Sequence, residues 1–252
     1  MPADMGTESQ IAFNLRKVQE NIQNACGRAG RNPEEVTLIA VSKTKPFSSV
    51  ADAHEAGARD FGENYVQELT QKCRMWDSLC PDRGIRWHMI GHLQKNKVKY
   101  LIGTVVLIHS VDSVSLAEQI EREAAKRNTA VKILMEVNAA EEKTKWGFSL
   151  REAPDAARQI SALPHVRLLG LMTSAPYTDD PETNRVHFRA MRSLAAELAE
   201  HELIAEDPEI WTPVLSMGMS GDYEVAVEEG ATMVRVGSSI FGERDYTAKQ
   251  KE

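Results

Sequence analysis

The stretch VTLIAVSK, residues 36–43, is almost unbroken in apolar and β-branched side chains until it ends in a serine and a lysine. Such a run is typical of a strand that is buried on both faces of a parallel sheet. Segments of the same kind recur along the chain, and polar residues follow each of them. We therefore predict eight strands, at residues 36–43, 60–64, 86–91, 105–110, 131–138, 166–174, 213–218 and 232–239.

Helical periodicity fills most of the intervals between these strands. Two of the helix starts carry the spacing of a capping box, in which two side chains satisfy unpaired backbone N–H groups reciprocally. The pairs are Ser115 with Glu118, and Ser149 with Glu152. Strand and helix thus alternate along the whole chain.

Eight strand–helix units within 252 residues, with no linker or change of composition between them, predict one (β/α)₈ TIM barrel. We place the barrel at residues 9–246, between a flexible tail at 1–8 and a second tail at 247–252. A doubly wound open sheet is the alternative. An amphipathic helix at residues 11–26 precedes the first strand, whereas only about a dozen residues follow the last one. We expect this first helix to cover the gap left there.

Composition restricts the class of function. The chain has 30 Lys+Arg against 37 Asp+Glu, a net charge of −7, without long runs of one sign. We therefore expect no binding to nucleic acid or membrane surfaces. No stretch approaches the roughly 18 apolar residues of a membrane span, and no signal core is present, so we expect a cytoplasmic protein. Its three cysteines form no C-x-x-C pair and are predicted to be reduced packing residues.

The loops after the last two strands predict an anion site. In a barrel the carboxyl ends of the strands form the working face. The run SMGMSGDYE brings Gly218, Ser220 and Gly221 to a helix start, and RVGSS adds Gly237 and Ser238. Glycine-rich turns let backbone N–H groups approach an anion closely. Either loop alone is equally well explained as a simple turn, but the two together favour a phosphate site.

Lys43 ends the first strand, where burial would favour an uncharged, nucleophilic amine. An isolated lysine at a strand end more often extends to solvent. A phosphate site at the same end of the barrel, however, favours a role for Lys43 in capturing an aldehyde. The pair suits either pyridoxal 5′-phosphate (PLP) or the phosphorylated substrate of a Schiff-base aldolase. Lys45 is a candidate second acceptor or relay, although Pro46 argues against the two lysines sharing one side.

Four segments carry long and specific motifs. They are AVSKTKP (40–46), FGENYVQE (61–68), WHMIGHLQKNKVKYL (87–101) and LSMGMSGDYEVAVEEGATMVRVGSSIFGERDY (215–246). These segments resemble the pyridoxal phosphate homeostasis proteins, the YggS/PROSC family. The resemblance implies a fold-type III barrel like the N-terminal domain of alanine racemase, with PLP as an internal aldimine on Lys43. The chain departs from the family pattern at Trp146, where a small or polar residue is commoner, which affects the expected pocket rim.

The resemblance also implies which groups surround the cofactor. The expected phosphate contacts are Met219, Ser220, Gly237 and Ser238. The expected contacts around the ring are Asn64, Met89, Ser216 and Arg235.

Alanine racemases supply one acid/base group from a second domain, whereas we expect this chain to end with its barrel. The resemblance is to a family without established enzyme activity. It implies a non-catalytic PLP carrier that passes the cofactor to apo-enzymes and so serves vitamin B6 homeostasis. We expect the protein to be a monomer. The alternatives are the aldolase and a weak amino-acid racemase, with His88, His92 or Tyr65 as the base. A metal site at the two histidines is disfavoured by their spacing across a strand and a turn. The acidic chain disfavours RNA binding by the lysine-rich residues 92–100.

Overall fold

The computed structural model describes residues 9–80, 84–142 and 144–243. The strands in this part of the chain are β1 (Thr37–Val41), β2 (Asp60–Glu63), β3 (Arg86–Met89), β4 (Leu107–Val111), β5 (Val131–Glu136), β6 (Val166–Met172), β7 (Val214–Ser216) and β8 (Met233–Val236). Each strand pairs in parallel with the next, and β8 pairs with β1, which closes the barrel. The predicted single barrel is confirmed, and the open sheet is excluded.

Helices surround the barrel. They are α1 (Gln10–Ala29), α2 (Phe47–Glu55), α3 (Val66–Leu79), α4 (Val114–Ala125), α5 (Ala153–Ser161), α6 (Arg185–Glu200), α7 (Tyr223–Glu228) and α8 (Ser238–Phe241). Short 3₁₀-helices lie at Pro33–Glu35, Lys95–Tyr100 and Pro181–Asn184. The unit between β3 and β4 carries the second of these in place of an α-helix, so the barrel is irregular there.

Both faces of the strands are apolar because each face packs against a different layer. Inside the barrel, one cluster fills the axis; its buried members are Ile39, Leu107, Leu134, Leu169, Met172, Val214 and Met233. The opposite faces pack against the helices in a larger second cluster. Side chains alternate between these two layers along each strand. The polar residues at the carboxyl ends of the strands lie beyond the apolar layers, at the mouth of the barrel.

The first helix fills the place of a full-length eighth outer helix. Helix α1 packs against α7, α8 and α2 and buries Leu15, Val18 and Ile22 among others. Asn14 Nδ2 donates to the carbonyl oxygen of Ile240 in α8 at 3.0 Å. Helix α8 spans only four residues, so the expectation that the N-terminal helix covers this gap is confirmed.

One of the two predicted capping boxes is present. Ser149 Oγ accepts from the Glu152 N–H at 3.2 Å, and Glu152 Oε2 accepts from the Ser149 N–H at 3.0 Å, one turn before α5. The prediction at Ser115 is wrong. Ser113 caps α4, because its hydroxyl oxygen accepts from the Leu116 N–H. The helix begins two residues earlier than the spacing indicated, so Ser115 already lies inside it.

The predicted tails, residues 1–8 and 247–252, and the last predicted barrel residues, 244–246, lie outside the described part of the chain. Cys26 and Cys73 are buried and unpaired, as expected for packing thiols. Among the described residues, no helix is both long and apolar enough to cross a membrane.

Candidate functional site

A cavity of about 430 Å³ opens at the carboxyl end of the barrel. Its lining comes from the segments that follow or end β1, β2, β3, β6, β7 and β8. Most of the predicted site residues line it, namely Lys43, Asn64, Met219, Ser220, Arg235, Gly237 and Ser238. The mouth therefore brings together the predicted amine and the predicted phosphate loops.

Lys43 lies in a tight turn immediately after β1. The N–H of Lys45 donates to the carbonyl oxygen of Ser42 at 3.0 Å and closes this turn. Lys45 lines the same cavity as Lys43, and its Nζ donates to the carbonyl oxygen of Glu243 at 2.8 Å. The expectation that Pro46 keeps the two lysines on different sides is wrong, because the turn, rather than a continued strand, brings both side chains to the mouth.

Two backbone N–H groups converge on the hydroxyl oxygen of Ser220. The nitrogens of Gly237 and Ser239 lie 3.2 Å and 3.4 Å from Ser220 Oγ. A Cβ at position 237 would lie 3.2 Å from the carbonyl oxygen of Val41, so the backbone approach here is close. Converging N–H donors of this kind bind anionic oxygens. Ser239 is the second serine of the RVGSS motif, but it is not among the four expected phosphate contacts.

The turn after β7 is fixed by two buried polar side chains. Asp222 lies within the SMGMSGDYE motif, whereas the sequence did not indicate Asn184. Asp222 Oδ1 accepts from the Met219 N–H at 2.7 Å, and Oδ2 accepts from Asn184 Nδ2 at 2.8 Å. Asn184 also donates to the carbonyl oxygen of Pro176 at 3.0 Å, which ties the turn to the loop after β6. Asn184 is distant in sequence, so no motif spacing reveals this contact.

Arg235 is 5% exposed and lines the cavity from the inner face of β8. Its Nη1 donates to the carbonyl oxygen and to Oγ of Ser216 at 2.7 Å and 2.8 Å, and its Nη2 donates to the carbonyl oxygen of Thr173 at 2.9 Å. Burial lowers the pKa of Arg235 to about 10, while Glu136 and Asp222 oppose that shift. The guanidinium is therefore a fixed positive charge at neutral pH.

Ser216 does not line the cavity but connects this guanidinium to a buried chain of hydrogen bonds. Ser216 Oγ lies 2.9 Å from His109 Nδ1, and His109 Nε2 lies 3.0 Å from His88 Nδ1. His88 Nε2 lies 3.0 Å from Asp60 Oδ1, which also accepts from Arg86 Nε at 2.7 Å. Burial holds the pKa of His109 well below its usual range, so this ring is neutral. The chain links the mouth to the amino-terminal end of the barrel.

Asn64 contributes an unpaired acceptor to the cavity. Its side-chain Oδ1 is buried and has no hydrogen-bond partner within residues 9–80, 84–142 and 144–243. The backbone of Asn64 is close to Gly91, where a Cβ would lie 2.4 Å from the Asn64 carbonyl oxygen. An unpaired buried acceptor is costly, so this oxygen is suited to a donor group of a ligand.

Met89 is predicted near the ring, but its side chain lies elsewhere. It is fully buried in the cluster that packs against the helices. Side chains alternate along β3, so His88 faces the barrel interior and Met89 faces outward. The next residue, Ile90, lines the cavity instead.

The side chains considered as a racemase base also lie away from the cavity lining. His88 belongs to the buried chain of hydrogen bonds, and Tyr65 is 54% exposed. His92 stacks on Trp146 with ring centroids 4.2 Å apart. Neither His92 nor Trp146 belongs to the described lining of the cavity. The described residues contain no group of three or more His, Cys, Asp or Glu side chains that could hold a metal ion.

The comparisons with known proteins agree on one family. The model of the alanine racemase N-terminal domain matches residues 13–245. The pyridoxal phosphate homeostasis protein of Aquifex aeolicus is 45% identical over 232 residues, covering 92% of this chain and 97% of that protein. The chain belongs to the pyridoxal phosphate homeostasis protein family. The Escherichia coli K12 member is 40% identical over 242 residues, covering 96% of this chain and all of its own length.

A solved structure with PLP bound has the same fold. PipY of Synechococcus elongatus, determined with PLP bound, superposes with a TM-score of 0.76 at 34% identity. The match covers 92% of this chain and 100% of PipY. The family resemblance predicted from the four motif segments is confirmed, and so is the alanine racemase type of barrel.

Proposed function

We propose that this member of the pyridoxal phosphate homeostasis family binds PLP in the mouth cavity, covalently on Lys43. It then acts as a non-catalytic reservoir that passes the cofactor to apo-enzymes and so serves vitamin B6 homeostasis. The observation that carries the proposal is that Lys43 and the loops of Ser220 and Gly237 line one cavity. Its relatives carry the homeostasis name, and PipY was solved with PLP.

The residues present fit PLP. When bound, the cofactor supplies an aldehyde carbon for a lysine amine and a phosphate dianion for backbone donors. Ser220, Gly237 and Ser239 form the donor cluster in which N–H groups already converge on an oxygen atom. Met219 and Ser238 line the cavity beside them. The cavity therefore combines a lysine amine with a cluster of backbone N–H donors that suits a phosphate.

Asn64 and Arg235 suit the ring. Asn64 brings a buried acceptor without a partner in the described chain, and Arg235 brings a fixed guanidinium that lines the same wall. Ser216 contributes indirectly by fixing this guanidinium from behind. The roles of these three residues are thus orientation and charge.

The titratable groups of the lining favour a carrier over an enzyme. Among the described lining residues they are Lys43, Lys45, Tyr177, Asp222 and Arg235. Tyr177 is 94% exposed, and Asp222 is occupied by the turn after β7. Racemization needs acid/base groups on both faces of the substrate. Loss of α-deuterium from labelled amino acids above the rate of free PLP would contradict the carrier proposal and favour the racemase.

The cofactor proposal is tested by visible absorption and chemical trapping. The protein is mixed with PLP, its absorption band is recorded, and borohydride then reduces the product before peptide mass spectrometry. We expect a pyridoxyl group on Lys43 in the wild type and none there in Lys43→Ala. Lys45→Ala is the matched control, because Lys45 lines the same cavity. Labelling scattered over surface lysines would contradict covalent attachment of PLP to Lys43.

Transfer is tested separately. The loaded protein is mixed with an apo-aminotransferase in the presence of an excess of a scavenger for free PLP, and recovery of aminotransferase activity is followed. Direct transfer predicts recovery that the scavenger does not suppress. Complete suppression would mean that the protein only releases PLP to solution.

The monomeric state and the cytoplasmic location are part of the same proposal. Two buried, unpaired thiols, Cys26 and Cys73, suit a reducing compartment. The outer layer of the barrel is complete without a second chain at the gap beside β8, because α1 packs there. Light scattering of the purified protein tests the monomer, and a mass of twice 28.1 kDa would contradict it.

A further inference from the structure

A buried cluster of charged side chains lies behind the turn that carries Lys43. Lys72 of α3 is 5% exposed, and its Nζ donates to Glu63 Oε1 at 2.7 Å and to Glu68 Oε1 at 2.8 Å. The same Nζ donates to the carbonyl oxygen of Ser42 at 2.8 Å. We refer to Glu63, Glu68 and Lys72 as the Lys72 cluster. All three ammonium hydrogens thus have acceptors.

Two more hydrogen bonds join the Lys72 cluster to the turn. Ser42 Oγ donates to Glu63 Oε1 at 2.7 Å, and the Thr44 N–H donates to Glu68 Oε1 at 2.7 Å. The residues immediately before and after Lys43 are therefore held by side chains from β2 and α3. Neither they nor the members of the cluster belong to the described lining of the cavity, whereas Lys43 does. The cluster therefore acts from behind the turn.

The turn needs this support because of its backbone conformation. Thr44 has φ +62°, a left-handed conformation that a β-branched residue seldom adopts. A conformation of this kind persists where neighbouring groups over-determine it. Here Glu68 binds the Thr44 N–H, and Lys72 binds the carbonyl oxygen that closes the turn.

The cluster depends on its one cation. Burial raises the pKa of Glu63, although Lys72 and Ser42 both favour its ionised form. Removal of the Lys72 ammonium would favour the neutral carboxyl of Glu63 and would leave the Ser42 carbonyl oxygen without this donor. The hydrogen bonds that fix Ser42 and Thr44, on either side of Lys43, would then weaken together.

We infer that the Lys72 cluster positions Lys43 by fixing the 42–45 turn, so that its side chain enters the cavity. The inference rests on the proposed function, in which the unprotonated Lys43 amine adds to the aldehyde carbon. Water then leaves with the aldehyde oxygen and the two amine protons, and a C=N bond replaces the C=O bond. The cluster touches none of these atoms; its members are positioning residues.

The test separates cofactor binding from covalent capture. Pyridoxine 5′-phosphate has an alcohol in place of the aldehyde, so its Kd reports the non-covalent site alone. The first-order rate of covalent attachment at saturating PLP, followed by absorption and by trapping on Lys43, reports the geometry of the amine. In Lys72→Met we expect this rate to fall by about tenfold or more, with the Kd of the analogue within about twofold of the wild-type value.

Lys132→Met is the matched control. Lys132 is also ion-paired to two carboxylates, Asp207 at 3.0 Å and Glu209 at 3.2 Å. It lies at the start of β5, at the end of the barrel opposite the cavity. The Lys132→Met variant should lose stability without a change in the capture rate. Equal losses of analogue affinity and capture rate in Lys72→Met would indicate a merely structural role and overturn the inference.

Glu68 provides a second pair of variants that decides the question if Lys72→Met does not fold. Glu68→Gln keeps an oxygen acceptor for the Thr44 N–H and should retain most of the capture rate, whereas Glu68→Ala should lose it. Equal rates in Glu68→Ala and the wild type would refute positioning while the proposed function stands. Failure of the wild type itself to label Lys43 would refute the proposed function instead.

Discussion

Ser216 and Arg235 lie on neighbouring strands at the end of the barrel sheet, and the hydroxyl oxygen of Ser216 accepts from Arg235 Nη1 at 2.8 Å. The same oxygen lies 2.9 Å from Nδ1 of His109. A single serine thus joins the cation of the cavity to the buried chain of hydrogen bonds.

Ser216→Ala should destabilise the fold, because it removes one hydrogen bond from each of two buried side chains. Arg235 Nη1 keeps the carbonyl oxygen of residue 216 but loses the hydroxyl oxygen, and His109 Nδ1 loses its partner. Unpaired buried groups cost about 1–3 kcal/mol each, so we expect a loss of about 2 kcal/mol in the free energy of unfolding measured with urea. Ser161→Ala removes a hydroxyl from an exposed helix position and should change the value by less than about 0.5 kcal/mol. Equal urea midpoints for the two variants would contradict this account.

Gly218→Ala should both destabilise the chain and weaken phosphate binding. Gly218 has φ +91°, and a Cβ there would lie 2.6 Å from the Cβ of Ala226. The strain costs about 1–3 kcal/mol, and relief by movement of the turn would displace Ser220. Urea unfolding and the Kd of pyridoxine 5′-phosphate measure the two effects.

The same chemical change should have the opposite sign in α1. Gly27 is exposed within this helix, and a Cβ added there would meet no heavy atom of the described chain within 4 Å beyond the adjoining backbone of α1. Gly27→Ala should therefore stabilise the protein by about 0.5–1 kcal/mol through helix propensity, with ligand affinity unchanged. A destabilised Gly27→Ala variant would show that general intolerance of methyl groups, rather than the turn, explains Gly218→Ala.

The barrel was predictable because its strands are buried on both faces and therefore appear as continuous apolar runs. Lys43, Ser220 and Gly237 were predictable for a related reason: carboxyl ends of parallel strands meet at one mouth. The family motifs then indicated Asn64 and Arg235 as neighbours of the cofactor. These residues required only strand positions and motif matches.

The supporting contacts were not predictable in this way. Which residue of a strand faces inward depends on irregularities of the sheet, such as the register shift between Ile108 and Val111, which no apolar run reveals. The meeting of Asp60, His88 and His109 depends on three strands at once. The contact of Asn184 with the turn after β7 likewise depends on tertiary packing rather than on spacing.

Trp146→Ala should leave PLP binding unchanged. Trp146 is 61% exposed and stacks on His92 at 4.2 Å, with an interplanar angle of 19°, outside the described lining of the cavity. An exposed stacked pair contributes about 0.5–1.5 kcal/mol at most. We expect a small loss of stability and a Kd for pyridoxine 5′-phosphate within about twofold of the wild-type value. A severalfold weaker Kd would place this side chain at the pocket rim after all.

Glu136 should make stability depend on pH between 5 and 8. Burial raises the pKa of this carboxyl to about 7, with a smaller contribution from Asp112, while Arg235 opposes the shift. The folded chain therefore binds this proton more tightly than the unfolded chain, in which the pKa is ordinary. The stability that results is fully present below the unfolded pKa of 4.5 and is lost as the pH rises through about 7.

From these pKa values, the wild type should lose about 2–3 kcal/mol at Glu136 between pH 5 and pH 8. Glu136→Gln keeps the shape of the neutral carboxyl and cannot ionise, so its unfolding free energy should fall less across this range. Urea unfolding at pH 5, 6, 7 and 8 measures the difference. Glu152→Gln is the control, because Ser149 lowers the pKa of the exposed Glu152 carboxyl and so moves its titration away from this range. If Glu136→Gln and the wild type show the same dependence on pH, then Glu136 is ionised in the folded protein throughout, and its interaction with Arg235 outweighs the cost of burial.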